Sequence, residues 1–333
     1  MFDRVAVIGC GAIGAGWVAR FVANGISVRV YDDAPGVSER LVRVLANCHR
    51  AWEALTDAPR GPEGESRVVG SLAEAVADAD LIVESVPENL QTKVAVYADI
   101  EAHARATAIL TSSTSGLLPS VLQARMDRPE RLVVAHPFHP VYLIPLVEVV
   151  AGGQTSEETA RRVESFYDSL GMRSLRVRRE IDGFIADRLL EAMWREALWL
   201  VHDGVATTKE VDDAIRFGFG LRAAQMGLFE TYRIAGGEAG MRHFLEQFGP
   251  CLEWPWTKLT EVPELDDALV DRIAQQSDEQ SGHHTLEDLE RLRDDNLVAI
   301  LRGLRDNASG AGETLARYES RLRRNAAARA KLL

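Results

Sequence analysis

Cysteine is scarce in this chain, and what there is lacks pattern. Cys10, Cys48 and Cys251 are odd in number and far apart. They lack the paired spacing of a zinc site or a disulfide framework, so they are expected to be small buried or reduced thiols. Long apolar runs are missing too, with none approaching the roughly 18 to 20 residues of a membrane span. Basic residues are outnumbered, 38 against 50 acidic, giving a net charge of −12. That balance excludes a nucleic-acid footprint and attraction to an anionic membrane, and leaves a small-molecule substrate as the expected partner. Nor does a charged leader or cleavage site precede the strand that begins at Arg4, so the expectation is a cytoplasmic protein. Solenoid repeats and low-complexity tracts are absent, although the Ala/Arg/Lys stretch over residues 326–333 is expected to fray.

What is present is the composition of an ordinary globular protein, 333 residues with 46% hydrophobic and 26% charged, long enough for two cores. Residues 4–8 (RVAVI) form a short apolar run fit for a strand buried on both faces, and they lead directly into Gly9-Cys10-Gly11-Ala12-Ile13-Gly14. This is GxGxxG. An apolar helical pattern follows (Ile13, Trp17, Val18, Phe21, Val22), then Gly25 as a stop, then a strand over 27–31 that ends on Asp32. Gly9 permits the tight turn, Gly11 lets backbone approach a pyrophosphate, and Gly14 lets helix and sheet pack closely. The helix N-terminus, from Ala12 and Ile13 onward, faces the phosphates. Asp32 stands where a ribose 2′-hydroxyl would be read, and its charge, reinforced by Asp33, favours NAD over NADP.

Residues 80–86 (DLIVESV) read as a further buried strand, followed by Pro87-Glu88-Asn89-Leu90 and a helix carrying Lys93. Two more apolar segments, 108–111 and 131–135, complete an α/β alternation that predicts a Rossmann-type doubly wound parallel sheet. Ligands bind beyond the carboxyl ends of such strands, where the serine-rich residues 111–115 and the loop from His136 lie. After that strand comes His136-Pro137-Phe138-His139-Pro140. Residues 143–150 (LIPLVEVV) then place one acid, Glu148, inside an apolar run. An ionised Glu there needs a partner, and a carboxylate bound to an imidazole orients it as a general base.

These motifs give the chain a resemblance to the 3-hydroxyacyl-CoA dehydrogenase superfamily, through GxGxxG, VPENLxxK (86–93), the Thr114-Ser115 turn, HPFxP (136–140), PLVEVV (145–150) and GFIxxRLL (183–190). The resemblance implies a Rossmann domain followed by an all-helical C-terminal domain that forms a homodimer. It implies catalysis by His136 and Glu148, twelve residues apart, with Ser115 bonding the substrate oxygen and Glu88 and Lys93 contacting NAD. Two positions depart from the superfamily's usual asparagines, His139 and Asp187. An ionised Asp187 cannot donate a hydrogen bond to the reacting oxygen. It could pair with an arginine, tune His136 or lower the cost of a cationic substrate.

Within the superfamily, residues 183–244 and the later WPWTKL are most similar to members that oxidise L-carnitine. Arg222 stands in a segment where acyl-CoA relatives are apolar, and would hold a free substrate carboxylate. Carnitine also carries a trimethylammonium, which aromatic faces attract. Candidate rings are Trp194, Trp199, Phe217, Phe219, Phe229, Tyr232, Trp254 and Trp256, with Tyr142 from the loop after His136. Most are expected to be core, and Tyr142 and Phe219 are the pair chosen for the cation. The expected reaction is oxidation of the 3-hydroxyl of L-carnitine to the 3-keto acid by NAD, with His136 as base. L-gulonate and a 3-hydroxyacyl-CoA are the alternative substrates. A non-catalytic NAD-binding protein, like a lens crystallin resembling this superfamily, is opposed by the presence of Ser115, His136 and Glu148. The domain boundary is placed near Ile181, giving 1–181 and 182–325, with helices over 185–202, 208–217, 237–248, 266–280 and 285–304.

Overall fold

The computed structural model describes residues 2–224, 227–235, 240–248, 257–258, 264, 266–281 and 283–331. Cys251, Trp254 and Trp256 lie outside them. The chain divides into two compact units: 1–187 with 294–307 and 312–333, and 188–293 with 308–311.

The first unit is built on strands β1 (Val5–Ile8), β2 (Val28–Tyr31), β3 (Ser66–Val68), β4 (Leu81–Glu84), β5 (Ile109–Ser112), β6 (Leu132–Pro137), β7 (Leu146–Val150) and β8 (Arg173–Val177). Among the described residues they form one sheet in the order β3-β2-β1-β4-β5-β6-β7-β8. All neighbours run parallel except β6 and β7, whose antiparallel register sets His136 directly opposite Glu148. The central strands are apolar on both faces because both faces are covered. Val5, Val7, Val133, Val147 and Val149 pack into one cluster with Trp17, Phe21, Phe166 and Tyr167. Ala6, Ile8, Ile82, Leu110, Val134 and Val150 pack into the other with Tyr97, Ile100 and Phe184.

Helix α1 (Ala12–Ala23) follows β1 with no intervening loop beyond the glycine turn, and everything from Gly14 to Ala23 is buried. Helix α2 (Val37–Leu55) buries Val37, Leu41, Cys48, Ala51, Trp52 and Leu55, the spacing of one helical face. Arg20, on α1, is 2% exposed. Its guanidinium donates to the carbonyls of Val141, Ile144 and Leu170, and Trp52 donates its indole N–H to Tyr142 O at 2.7 Å. The loop joining β6 to β7 is therefore pinned from beneath by α1 and α2.

Part of the stretch expected as a second domain, 182–325, groups with the first compact unit. The C-terminal half of the helix Leu286–Asp306 and the helix Gly310–Ala330 belong to the first unit. The reason is a set of specific contacts: Tyr318 donates to Asn24 (2.7 Å), Thr56 to Glu319 (2.6 Å) and Tyr142 to Asp294 (2.7 Å). Gly171, at φ +76°, admits the Tyr318 ring where a Cβ would stand 2.8 Å from it. The last helix continues to Ala330, through the first part of the stretch expected to fray.

The second unit is helical. The helix Ala186–His202 begins at its border, and Thr208–Ala214 is closed by a reciprocal cap between Thr207 and Glu210. The helix expected over 208–217 breaks at Ala214 into a wider π turn over Ile215–Phe219, because Gly218 (φ −108°, ψ −120°) leaves helical geometry. Leu228–Ala235 packs on Gly240–Phe248, with Tyr232 and Phe244 stacked at 4.6 Å. Lys258 sits 3.8 Å over the Trp199 ring. The expectation that most of the candidate rings are core fails in this unit: Trp194 is 54%, Phe217 73% and Phe229 77% exposed. A helical unit of this size, taken alone, has too little interior to enclose them.

Candidate active site

At the dinucleotide turn Gly9 has φ +87°, and a Cβ there would lie 2.6 Å from the Ser85 carbonyl. A Cβ on Gly14 would come within 1.9 Å of Gly9 O, whereas one on Gly11 would meet nothing within 4 Å. The turn is thus closed toward the sheet and open above Gly11. No side chain caps the helix that begins at Ala12 and Ile13, so its first N–H groups face that opening. Asp32 braces the turn as well as facing it: its carboxylate accepts from Cys10 N at 2.5 Å and from Ala34 N at 2.8 Å. These features fit a pyrophosphate over the glycines and a ribose at Asp32. Cys10 takes no chemical part, since burial and then Asp32 push its thiol up to about 11.

Next along the sheet, the ends of β1, β4 and β5 align Ile8, Glu84 and Ser112. Glu84 is fully buried and its four partners are all short: Lys93 Nζ (2.7 Å) and Val86 N (2.8 Å) on Oε1, Tyr97 and Ser112 hydroxyls (both 2.7 Å) on Oε2. Lys93, itself 1% exposed, reaches on to Glu88 at 3.3 Å. Glu88 in turn accepts from the Thr114 hydroxyl and from the backbone N–H of Ser115 (3.2 Å) and Gly116 (3.3 Å). Burial opposes ionisation of Glu88, but the Thr114 hydrogen bond and the Lys93 ammonium outweigh it and hold the carboxyl below its usual range. A chain of alternating charges therefore runs from inside the sheet to the turn that carries Ser115.

His136 and Glu148 form the second cluster. His136 Nδ1 lies 3.0 Å from Glu148 Oε2, and Glu148 Oε1 accepts from Ile185 N and Ala186 N, both at 3.0 Å. Glu148 is fully buried and His136 is 5% exposed. An ionised carboxylate only accepts, so Nδ1 carries the proton and Nε2 presents its lone pair. The rings of Phe138 and Phe184 lie 4.8 and 5.7 Å from the imidazole. On the Nε2 side stands Asp187, with Oδ2 at 3.7 Å.

Three further predicted site residues are described separately. Tyr142 is corrected from ligand cage to core: it is 3% exposed, and its hydroxyl and carbonyl are taken by Asp294 and Trp52. Phe219 and Arg222 belong to the second unit, where both are exposed. His139 is exposed beside the His136 strand. The sequence reading missed Glu84. The signal was available, since an acid at the end of the apolar run DLIVE poses the question that Glu148 posed.

Comparison with known proteins now bears on this geometry. Residues 4–181 match the family profile "3-hydroxyacyl-CoA dehydrogenase, NAD binding domain", and 183–270 match its C-terminal domain. The chain is 55% identical, over 96% of its length, to a bifunctional L-carnitine dehydrogenase/betainyl-CoA thioesterase of Ruegeria pomeroyi, of which it spans 65%. It is 53% identical to an L-carnitine dehydrogenase of Mesorhizobium japonicum, covering 94% of this chain and 86% of that one. Among solved structures, an NAD+-dependent FHMPC 5-dehydrogenase superposes with a TM-score of 0.78 at 30% identity, covering 91% of this chain and 99% of the other. With the glycine turn, the imidazole–carboxylate pair and both domain profiles in one chain, this protein belongs to the 3-hydroxyacyl-CoA dehydrogenase family, with that family's NAD-binding domain over residues 4–181.

Proposed function

We propose that the chain catalyses the NAD-dependent oxidation of the 3-hydroxyl of L-carnitine to 3-dehydrocarnitine. The observation that carries the reading is the buried cross-strand pair of His136 and Glu148 at the carboxyl end of a sheet whose first turn fits a dinucleotide. The identity to L-carnitine dehydrogenases supports the choice of substrate.

The turn from Gly9 to Gly14 and Asp32 would hold NAD, which would supply the hydride acceptor for the carbinol carbon. His136 Nε2 takes the hydroxyl proton, and the resulting imidazolium is stabilised by Glu148 through Nδ1. Glu148 is itself fixed by two backbone N–H groups, so it holds the ring in one tautomer and one orientation. Ser115 bonds the reacting oxygen, on a turn set by Glu88 and, through Lys93, by Glu84. For the substrate carboxylate the reading retains Arg222, on the sequence resemblance alone.

The test is a steady-state assay with NAD, read at the absorbance of NADH, offering L-carnitine, D-carnitine, L-gulonate and a 3-hydroxyacyl-CoA in turn. L-carnitine is expected to be oxidised, with kcat/KM at least 100-fold above that for each of the others. A larger kcat/KM for gulonate or the acyl-CoA, or no NADH with any of the four, overturns the reading.

We also infer that the second unit forms a homodimer. Leu189, Leu190, Met193 and Trp194 leave 44% to 61% of their surface exposed on a helix whose hydrophobic residues recur at helical spacing. Light scattering on the purified chain is expected to give twice 36.7 kDa. Replacing Trp194 by Asp should shift the mass toward the monomer, and a monomeric parent protein removes the inference.

A further inference from the structure

One face of the last helix gathers positive charge in a chain that is acidic overall. Arg317, Arg321 and Arg324 recur at the i, i+4, i+7 spacing of a single face of the helix Gly310–Ala330. Arg173, at the start of β8, meets them across a cavity of about 210 Å³ whose wall also includes Tyr318 and Asp168. All of these residues belong to the first unit. Four guanidinium groups and one carboxylate leave the lining at +3, in a protein whose net charge is −12. Like charges brought this close repel unless an anion answers them.

The chain itself supplies little answer. Among the described residues Arg173, Arg321 and Arg324 make no side-chain hydrogen bond or ion pair, and Arg317 has only Glu313, at 3.9 Å. Asp168 is already engaged by Ser174 N at 2.9 Å. Arg321 Nε is buried without a hydrogen-bond partner, a condition that folded proteins seldom leave unanswered. Burial lowers the Arg321 pKa against an opposing pull from Tyr318, and Arg324 lowers it further, a shift that an anion between the two arginines would oppose. The wall behind them is firm. The Arg321 guanidinium lies 5.7 Å over the Tyr318 ring, and that ring packs edge-on against Trp52 at 5.5 Å while its hydroxyl donates to Asn24. Planar guanidinium forks on a fixed wall suit the oxygens of a phosphate. Pockets that enclose a drug-sized molecule run to roughly 300 to 1,000 Å³, so this smaller cavity suits a compact anion or the charged end of a larger one.

We propose that this cavity is a binding site for a phosphate group, either the free ion or the phosphate of a small molecule, held by Arg173, Arg321 and Arg324. The site shares no residue with the His136–Glu148 pair or the glycine turn. Its position gives binding a consequence. Arg173 N donates to Pro145 O at 2.7 Å, and the register of β7 on β8 sets Leu175 beside Glu148. A phosphate bridging Arg173 to Arg321 ties the edge strand that flanks β7 to the last helix, and so stabilises the unit that carries Glu148.

The test uses the full chain saturated with NADH, so that the glycine turn is occupied, and titrates inorganic phosphate by calorimetry at an ionic strength fixed with potassium chloride. One site with a Kd at or below about 1 mM is expected, and about 10 mM phosphate should raise the Tm by at least about 2 °C. Arg321→Gln and Arg173→Gln should each weaken binding about 10-fold, as loss of a charge-assisted contact predicts. Arg323→Gln makes the same change of charge at an exposed neighbour paired with Glu319 at 3.7 Å, and should leave the Kd within about twofold. Adenosine monophosphate is titrated in parallel. Tighter binding than phosphate, weakened by the same variants, assigns the site to the phosphate of a larger molecule, and binding no tighter assigns it to the free ion. Absence of saturable phosphate binding, or a Kd unmoved by Arg321→Gln and Arg173→Gln, overturns the proposal. An equal loss in Arg323→Gln overturns it too, by showing a diffuse effect of charge in place of a built site. The carnitine reading is decided separately, by the steady-state assay.

Discussion

Replacing His136 by alanine is expected to lower kcat/KM for the hydroxy-acid substrate by about 10²- to 10⁴-fold, the range over which a positioned general base contributes. The geometry makes this loss specific. Nδ1 is committed to Glu148 at 3.0 Å, so Nε2 is the nitrogen with a lone pair to offer, and the two phenylalanine rings around it limit water that might substitute. Both kcat and kcat/KM should fall together, because proton removal is an interaction gained in the transition state and not in the ground state. NADH affinity, read by fluorescence titration, should stay within about twofold, since the dinucleotide turn involves other strands. Glu148→Gln supplies the companion result. A glutamine amide can donate to Nδ1 and stabilise the tautomer protonated on Nε2, which cannot act as base. It should therefore cost nearly as much rate with little change in size. A His136→Ala protein with turnover within tenfold of the parent would remove His136 from the chemistry.

How much of this was legible in the sequence depends on how far each contact reaches. The glycine turn was legible because its parts lie within one βαβ unit, and the demand for glycine at Gly9 and Gly14 is steric. Glu148 was legible because a charge inside an apolar strand has to be paired, and the antiparallel register then supplies His136 opposite it. The same reasoning applied to Glu84 would have exposed the Lys93–Tyr97–Ser112 network. Tyr142 misled because closeness in sequence to His136 says nothing of which face a loop side chain takes, and Asp294, 152 positions away, decided it. The return of the last helix to the first unit was likewise invisible. Tyr318 and Glu319 are ordinary helix residues until Asn24 and Thr56 are placed beside them. Amphipathic periodicity says that a helix buries a face, but not against which partner.

The largest expected effect on stability comes from Lys93→Met. Glu84 and Lys93 are 0% and 1% exposed and 2.7 Å apart, so the ammonium is the charge that makes a buried carboxylate tolerable. Removing one member of such a pair costs about 3 to 5 kcal/mol, much more than a surface ion pair would, because the survivor is left uncompensated in a low dielectric. For a unit of this size that corresponds to a fall of about 10 °C in the Tm of its unfolding transition. The consequence should extend past stability: without Lys93 no ammonium bridges Glu84 and Glu88, which stay joined only through Ser112 and Thr114 among the described contacts, and the Ser115 turn loses part of the charge that holds its anchor. A fall in kcat with the folded fraction held constant is therefore expected alongside the thermal shift. The decisive comparison is the double variant, Lys93→Met with Glu84→Gln. Glutamine keeps an acceptor for the Tyr97 and Ser112 hydroxyls and removes the orphaned charge, so the pair should recover at least half of the lost Tm. Recovery of Tm without recovery of kcat would assign the charge relay to positioning Ser115. Additive losses in the double variant would show instead that Lys93 stabilises the unit by packing alone.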